Sequence, residues 1–168
     1  MTMIDSNSAV RDRVAAFYAY ETMLLDDGRL REWLALMDDD VRYIMPMRET
    51  RMGPPDENPN PPFYLYNDDK SSLVTRVARL ETGMALVESP PSATQRLVTD
   101  IHILSADEAF VEARSSFIVV QVRDELNETQ FTGRRTDRLR VTGDGFRVIR
   151  RDILLVHYVL SHTISMFF

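Results

Sequence analysis

The 168 residues carry 20 basic and 26 acidic side chains, a formal net charge of −6. That balance excludes the phosphate-neutralising surface on which nonspecific nucleic-acid binding depends. With no cysteine in the chain, a disulfide framework, a thiolate zinc site, an iron–sulfur cluster and a cysteine nucleophile are excluded as well. At 44 % hydrophobic and 27 % charged residues, the composition is that of a folded soluble protein, and the length suits one domain, residues 1–168. No apolar stretch approaches the roughly 18 to 20 residues that cross a bilayer. The opening MTMIDSNSAVRDR lacks the basic region and apolar core of a signal peptide, so the expected location is cytoplasmic. Lys70 is the only lysine among the basic residues; the other nineteen are arginine. Codon bias accounts for such a skew, although the planar guanidinium also suits ion pairs at interfaces.

In chain order, the first element is a helix. Val10, Val14, Phe17, Glu21 and Leu24 recur at three-to-four spacing, and Tyr18 and Leu25 widen the stripe. Ser8 is the expected N-cap, with about residues 1–7 disordered before it, and Gly28 is the expected left-handed stop. A shorter helix over about 29–37 buries Leu30, Trp33, Leu34 and Met37. A strand, Val41 to Met47, follows. Between Gly53 and Pro62 stand five of the eight prolines, a density that permits only a loop. Loops of that length in compact domains usually serve a function or dock on something. A third helix runs from about Asp68 to Thr82, with Leu73, Val74, Val77 and Leu80 on one side and Gly83 as its stop.

After Pro90-Pro91 the pattern turns to strands, at about 94–105, 109–123, 128–141 and 145–160, joined by turns at 106–108 and 142–145. Helices first and antiparallel strands after them imply an α+β fold, its helices on one face of a bent sheet.

Candidate chemistry is sparse. His157 and His162 are five apart, so a regular strand sends them to opposite faces, and His102 would have to join them from elsewhere. A two-histidine, one-carboxylate metal site is therefore disfavoured. Neither a nucleophile elbow nor a glycine-rich phosphate loop is present. Glu21 lies on the apolar stripe of the first helix, where desolvation would raise its pKa. With His102 from a strand facing the same cavity, it would make an acid–base pair for an isomerase or dehydratase. The competing reading has Glu21 meet one of the many arginines. Along Arg134, Arg135, Arg138 and Arg140, a strand puts Arg135 opposite the other three, and the interleaved Asp137 favours ion pairs over phosphate binding. The segment Ile164-Ser165-Met166-Phe167-Phe168 is too apolar to fray, and reads as a core strand or a subunit interface.

Taken together, the segments resemble the small (beta) subunit of Rieske-type aromatic-ring-hydroxylating dioxygenases. Residues 17–51, FYAYETMLLDDGRLREWLALMDDDVRYIMPMRETR, carry Leu24-Leu25-Asp26, Trp33-Leu34, Tyr43 and Met45-Pro46 in that family's order. The likeness continues through Arg76-Val77-Ala78-Arg79-Leu80, Thr82-Gly83, Pro90-Pro91-Ser92 and Arg96-Leu97-Val98-Thr99. It runs on through Arg114-Ser115-Ser116-Phe117, Gly133-Arg134-Arg135 and the Arg150-Arg151 to Leu155 strand. Departures fall at Val156-His157, where the family usually has an aspartate, around His162-Thr163, and at Gln95.

The resemblance implies a cone-shaped fold of the NTF2-like or cystatin-like kind. It also implies no catalytic, cofactor-binding or metal-binding residue in this chain. The Rieske [2Fe-2S] cluster and mononuclear Fe(II) would sit on a partner alpha subunit, with the small subunits forming a homotrimer within α3β3. The complex would dihydroxylate an aromatic ring with O2 and NAD(P)H in aromatic catabolism. Expected contact residues are Arg134, Arg135, Phe167, Phe168 and the proline-rich loop. The alternatives are a stand-alone pocket enzyme using Glu21 and His102, and a non-enzymatic carrier of a hydrophobic ligand.

Overall fold

A computed structural model describes residues 3–47, 63–82, 92–123, 128–157, 164 and 166–168. Helix α1 (Met3–Asp26) is followed by α2 (Leu30–Ala35), strands β1 (Met37–Pro46) and β2 (Tyr64–Asp68), and α3 (Lys70–Glu81). Four long strands complete the order: β3 (Ala93–Ala106), β4 (Phe110–Val122), β5 (Glu128–Thr142) and β6 (Gly145–Leu155).

α1 begins at Met3 rather than after Ser8, because no glycine or proline in the first seven residues interrupts it. It ends as its glycine predicts. Gly28 takes φ +70°, its N–H donates to Leu25 O, and the Arg29 N–H donates to Leu24 O, the paired bonds of a Schellman turn. α3 is capped by Asp69, whose side chain accepts from the Ser72 N–H. The lone lysine also closes a helix end. Lys70 Nζ donates to Leu34 O at 2.9 Å and Met37 O at 2.7 Å, holding the exit of α2 and the start of β1 to α3.

The strands form one six-stranded sheet in the order β2-β1-β6-β5-β4-β3. Every neighbouring pair is antiparallel except β1 and β6, which run parallel. β2 has no counterpart in the periodicity reading; it is a five-residue edge strand, too short to show an alternation of its own. The helices lie on one face, with α1 against β3 and β6 and α3 against β1 and β2. Alternation along β4 and β5 is strict, with Val111, Ala113, Ser115, Phe117 and Val119 turned inward, as are Phe131, Arg135, Asp137 and Leu139. Gly133 stands on that inner face because a Cβ there would lie 2.6 Å from Leu154 O and 2.8 Å from the Phe117 ring. Its absent side chain is what lets Phe117 lie across β5.

β3 breaks the alternation. Between Thr99, opposite Ser116, and His102, opposite Arg114, it carries one extra residue, and Asp100 sits there at φ +54°. This bulge inverts the parity of Ile101 to Ile103, and a second irregularity follows between Ile103 and Ser105. Arg96 and Val98 face inward before it, Ile101 and Ile103 after it, and His102 is turned outward.

Candidate functional site

Sheet register brings the charged side chains together inside the cone. Tyr43 of β1 pairs with Arg151 of β6, Arg151 with Asp137 of β5, and Asp137 with Ala113 of β4. One row of the inner face thus reads Tyr, Arg, Asp, Ala, and the small alanine leaves room beside the two charges. The next row holds Ser115, Arg135 and Ile153. α1 crosses above them and lowers Glu21 from its apolar stripe.

Glu21, Asp137 and Arg151 are fully buried and Arg135 is 2 % exposed. Glu21 Oε1 accepts from Arg151 Nη1 at 2.6 Å and from Trp33 Nε1 at 3.1 Å. Its Oε2 accepts from Arg151 Nη2 and Arg135 Nη2, both at 3.0 Å. Arg151 also donates Nε and Nη2 to the two Asp137 oxygens at 2.8 Å each, and Arg135 lies over the Tyr18 ring at 4.4 Å. Two carboxylates face two guanidiniums, so the cluster is neutral as a whole. Only such matched pairing makes burial of four charges tolerable.

The electrostatics follow from that closure. Burial pushes the Glu21 carboxyl up, but the Arg151 and Arg135 charges and the N–H donors of Arg151 and Trp33 outweigh it, holding the pKa at about 2. Burial pulls the Arg151 guanidinium down, and Asp137 and Glu21 more than reverse this, raising it well above its ordinary value. Tyr43 is pushed up to about 12 by burial, against the opposing pull of Arg151. Glu21 and Tyr43, displaced from neutrality in opposite directions, are not poised to exchange a proton there.

Met166, Phe167 and Phe168 enter the same space. Phe167 stacks on Trp33 with centroids 4.2 Å apart, and Phe168 lies against Phe117 and Phe131 at 5.5 and 5.9 Å. Phe168 O accepts from Arg151 Nη1 at 2.8 Å and from the Tyr43 hydroxyl at 2.9 Å. Phe167 O accepts from Arg96 Nε and Nη2 at 3.0 and 2.9 Å, while Arg96 Nη1 is paired with Asp26.

The residues named in advance are distributed unevenly by this arrangement. Glu21 and His102 do not meet. Glu21 is inside with its carboxylate lowered rather than raised, and His102, its side chain 52 % exposed, pairs with Asp100 on the outward face. The bulge at Asp100 is the cause, since regular alternation from Arg96 would have turned His102 inward. His157 packs edge-on to Phe131, and His162 falls outside the described residues. Among the described residues no three His, Asp or Glu side chains are grouped to hold a metal ion. With no cysteine the chain cannot supply the two thiolates of a Rieske cluster.

Arg135, Phe167 and Phe168, expected at an interface, lie within the chain at 2 % exposure each. Arg135 shares the inward parity of Phe131 and Leu139, and the two phenylalanines find Trp33, Phe117 and Phe131 in their own chain. Arg134 is on the outward face, and the loop from Gly53 to Pro62 is outside the described residues. Arg96, Asp137 and Arg151 are not among the expected site residues, although Asp137 is read from the sequence as an ion-pair partner and Arg96 and Arg151 lie in segments that carry the family resemblance. The signal for Asp137 and Arg151 was present, because Asp137 falls in phase with Leu139 and Arg151 in phase with Ile153 and Leu155.

A helix-lined cone on a six-stranded sheet, with Phe167 and Phe168 packed inside it, defines the class; comparison places the chain within it. The model of the ring hydroxylating beta subunit family matches residues 20–162. The chain belongs to that family. Among solved structures, a chain of naphthalene 1,2-dioxygenase with indole bound in the active site superposes with a TM-score of 0.84 at 22 % identity. That match covers 96 % of this chain and 86 % of the other. The beta subunit of benzoate 1,2-dioxygenase from Burkholderia mallei superposes with a TM-score of 0.68 at 21 % identity, covering 84 % and 87 %. Both share the NTF2-like α+β fold expected above. No helix among the described residues is long and apolar enough to cross a membrane.

Proposed function

We propose that this chain is the non-catalytic, structural subunit of an aromatic-ring-hydroxylating dioxygenase. In this reading it works in the cytoplasm, in aromatic catabolism, as a trimer joined to three alpha subunits. The Rieske cluster, the mononuclear iron and the ring-dihydroxylating chemistry reside on the alpha subunit. Membership of the beta-subunit family supports the partner. The observation that carries the non-catalytic role is the state of the cone interior. Where a pocket enzyme of this shape would hold substrate, Phe167 and Phe168 fill the space, and the acidic groups are closed onto arginines.

The stand-alone acid–base enzyme loses its pair, because Glu21 and His102 are on different sides of the sheet. The test is to recover a tagged chain from its native host and record the visible spectrum and the subunit masses. A larger chain in equal amount, with brown iron–sulfur absorbance, is the expected result. A colourless oligomer without a partner, from cells growing on aromatic compounds, would overturn the proposal. In the recovered complex, His102→Ala is expected to leave ring dihydroxylation unchanged, and its loss would restore His102 to the chemistry.

A further inference from the structure

The segment Met166–Phe168 is held in an unusual way for part of a core. It belongs to no helix or strand, and each hydrogen bond described for its main chain goes to a side chain. Tyr66 donates to Met166 O at 2.8 Å. Arg96 donates twice to Phe167 O, and Arg151 and Tyr43 donate to Phe168 O. The Phe168 N–H donates back to the Tyr43 hydroxyl at 2.8 Å. Around these donors stand aromatic walls: Trp33 stacked on Phe167, Tyr43 edge-on to it, and Phe117 and Phe131 about Phe168. Apolar walls with a few convergent polar side chains are how proteins hold ligands. Most core backbone, by contrast, is paired within ladders and helices, with side chains serving chiefly at caps and turns.

The donors are themselves fixed from behind. Glu21 and Asp137 orient Arg151, and Asp26 orients Arg96. A site with its donors held in place before the occupant arrives meets the usual requirement for preorganised recognition.

We propose that the interior of the cone is a binding site for a short extended peptide bearing two adjacent aromatic side chains, and that residues 166–168 are its tethered, exchangeable occupant. The rings fill the Trp33 and Phe117–Phe131 subsites. Peptide carbonyls take the Arg96 and Arg151–Tyr43 donors. A tethered occupant excludes free competitors through its high effective concentration, so the site accepts an external peptide when the segment is released. This goes beyond the subunit role, and both measurements below use the full chain alone, so their outcome does not depend on that role.

The first measurement is native-state hydrogen exchange on the wild-type chain. Exchangeable occupancy predicts that the Phe168 amide exchanges through local release, at least about tenfold faster than the slowest amides of β4 and β5 and with little dependence on denaturant. Exchange of Phe168 only with global unfolding would make the segment an ordinary part of the core and overturn the proposal. The second uses the full chain carrying Phe167→Asp and Phe168→Asp, charges that cannot remain in the cone. Acetyl-Met-Phe-Phe-amide at ten times its Kd is expected to raise the Tm of this variant by about 3 to 6 °C. Acetyl-Met-Ala-Ala-amide is expected to leave it unchanged. Equal response to the two peptides, or none, overturns the site. Should the variant be unfolded alone, recovery of its near-UV circular dichroism on adding the aromatic peptide is the supporting result, and no recovery the contrary one.

Discussion

The two faces of β5 and β6 carry the same chemistry in opposite circumstances. Inside, Arg135, Asp137 and Arg151 join Glu21 out of contact with water. Outside, one residue away along the same strands, Arg138 lies over the Phe110 ring, and Arg150 holds Asp152 with bonds of 2.6 and 2.9 Å. The bond lengths of the inner and outer pairs hardly differ. What differs is solvent: Arg150 and Asp152 keep 53 % and 40 % of their side-chain surface exposed, whereas Arg151 and Asp137 keep none. Identical geometry therefore predicts very different consequences. Removing one partner of a buried pair strands a charge in a medium that cannot solvate it. Removing one partner of an exposed pair hands the other to water.

The largest effect expected from this contrast is at Arg151, which neutralises two carboxylates and also holds Phe168 O. Arg151→Met is expected to lower stability by about 3 to 5 kcal/mol, the usual cost of breaking a buried pair from one side. For a domain of this length, that is a fall in Tm of about 6 to 20 °C. Denaturant unfolding of variant and wild type measures it directly. A loss below about 1 kcal/mol would mean that water reaches the cluster and that inner and outer pairs are alike.

Acid should separate the two faces without any substitution. Glu21 is lowered from an ordinary 4.5 to about 2 in the folded chain. Its contribution is therefore fully present above about pH 4.5 and is lost as pH falls toward 2. The size is roughly 3 kcal/mol by linkage. Stability measured from pH 6 down to pH 2 should fall along this course, and the Glu21→Gln variant should show a shallower fall. If wild type and variant keep parallel curves, the buried carboxylate is not the group that titrates.

Much of this arrangement was legible in the residues, and the part that was not has identifiable causes. Strands β4 and β5 follow from their periodicities to within a residue at each end, because each is long and strongly patterned, whereas α1 starts earlier than its expected cap and β6 is described only to Leu155. The stripe position of Glu21 marked a buried carboxylate, and the abundance of arginine supplied its partners in outline. Which arginines they are depends on phase. Arg135 and Asp137 alternate with Leu139, and Arg151 with Ile153, so their inward direction could be inferred once the apolar face of each strand was taken as reference.

His102 was harder to place. A single left-handed residue, Asp100, inverts Ile101 to Ile103, and nothing local in Thr99-Asp100-Ile101 announces a bulge. Phe167 and Phe168 were legible as buried but not as to where, since an aromatic segment suits a core and an interface equally well. Their destination depends on Trp33, Phe117 and Phe131, contributed by three separate elements, and on Gly133 leaving space for Phe117.

The smallest expected effect completes the contrast. Asp152→Ala removes the outward partner of Arg150, and in the isolated chain it is expected to cost no more than about 0.5 kcal/mol, as exposed pairs usually do. Measured in the assembled complex, the same substitution becomes informative about surroundings. The outward face of β4 to β6 also carries Glu112, Arg134 and Arg138, charges of both signs that a neighbouring subunit could meet. If Asp152→Ala leaves subunit association unchanged, that face stays solvated and its ion pairs are equivalent to any on the surface. If association weakens tenfold or more while the isolated chain is unaffected, the outward pair has been desolvated by a neighbour. It then obeys the same physics as the cluster inside the cone, with the covering supplied by another chain instead of by α1.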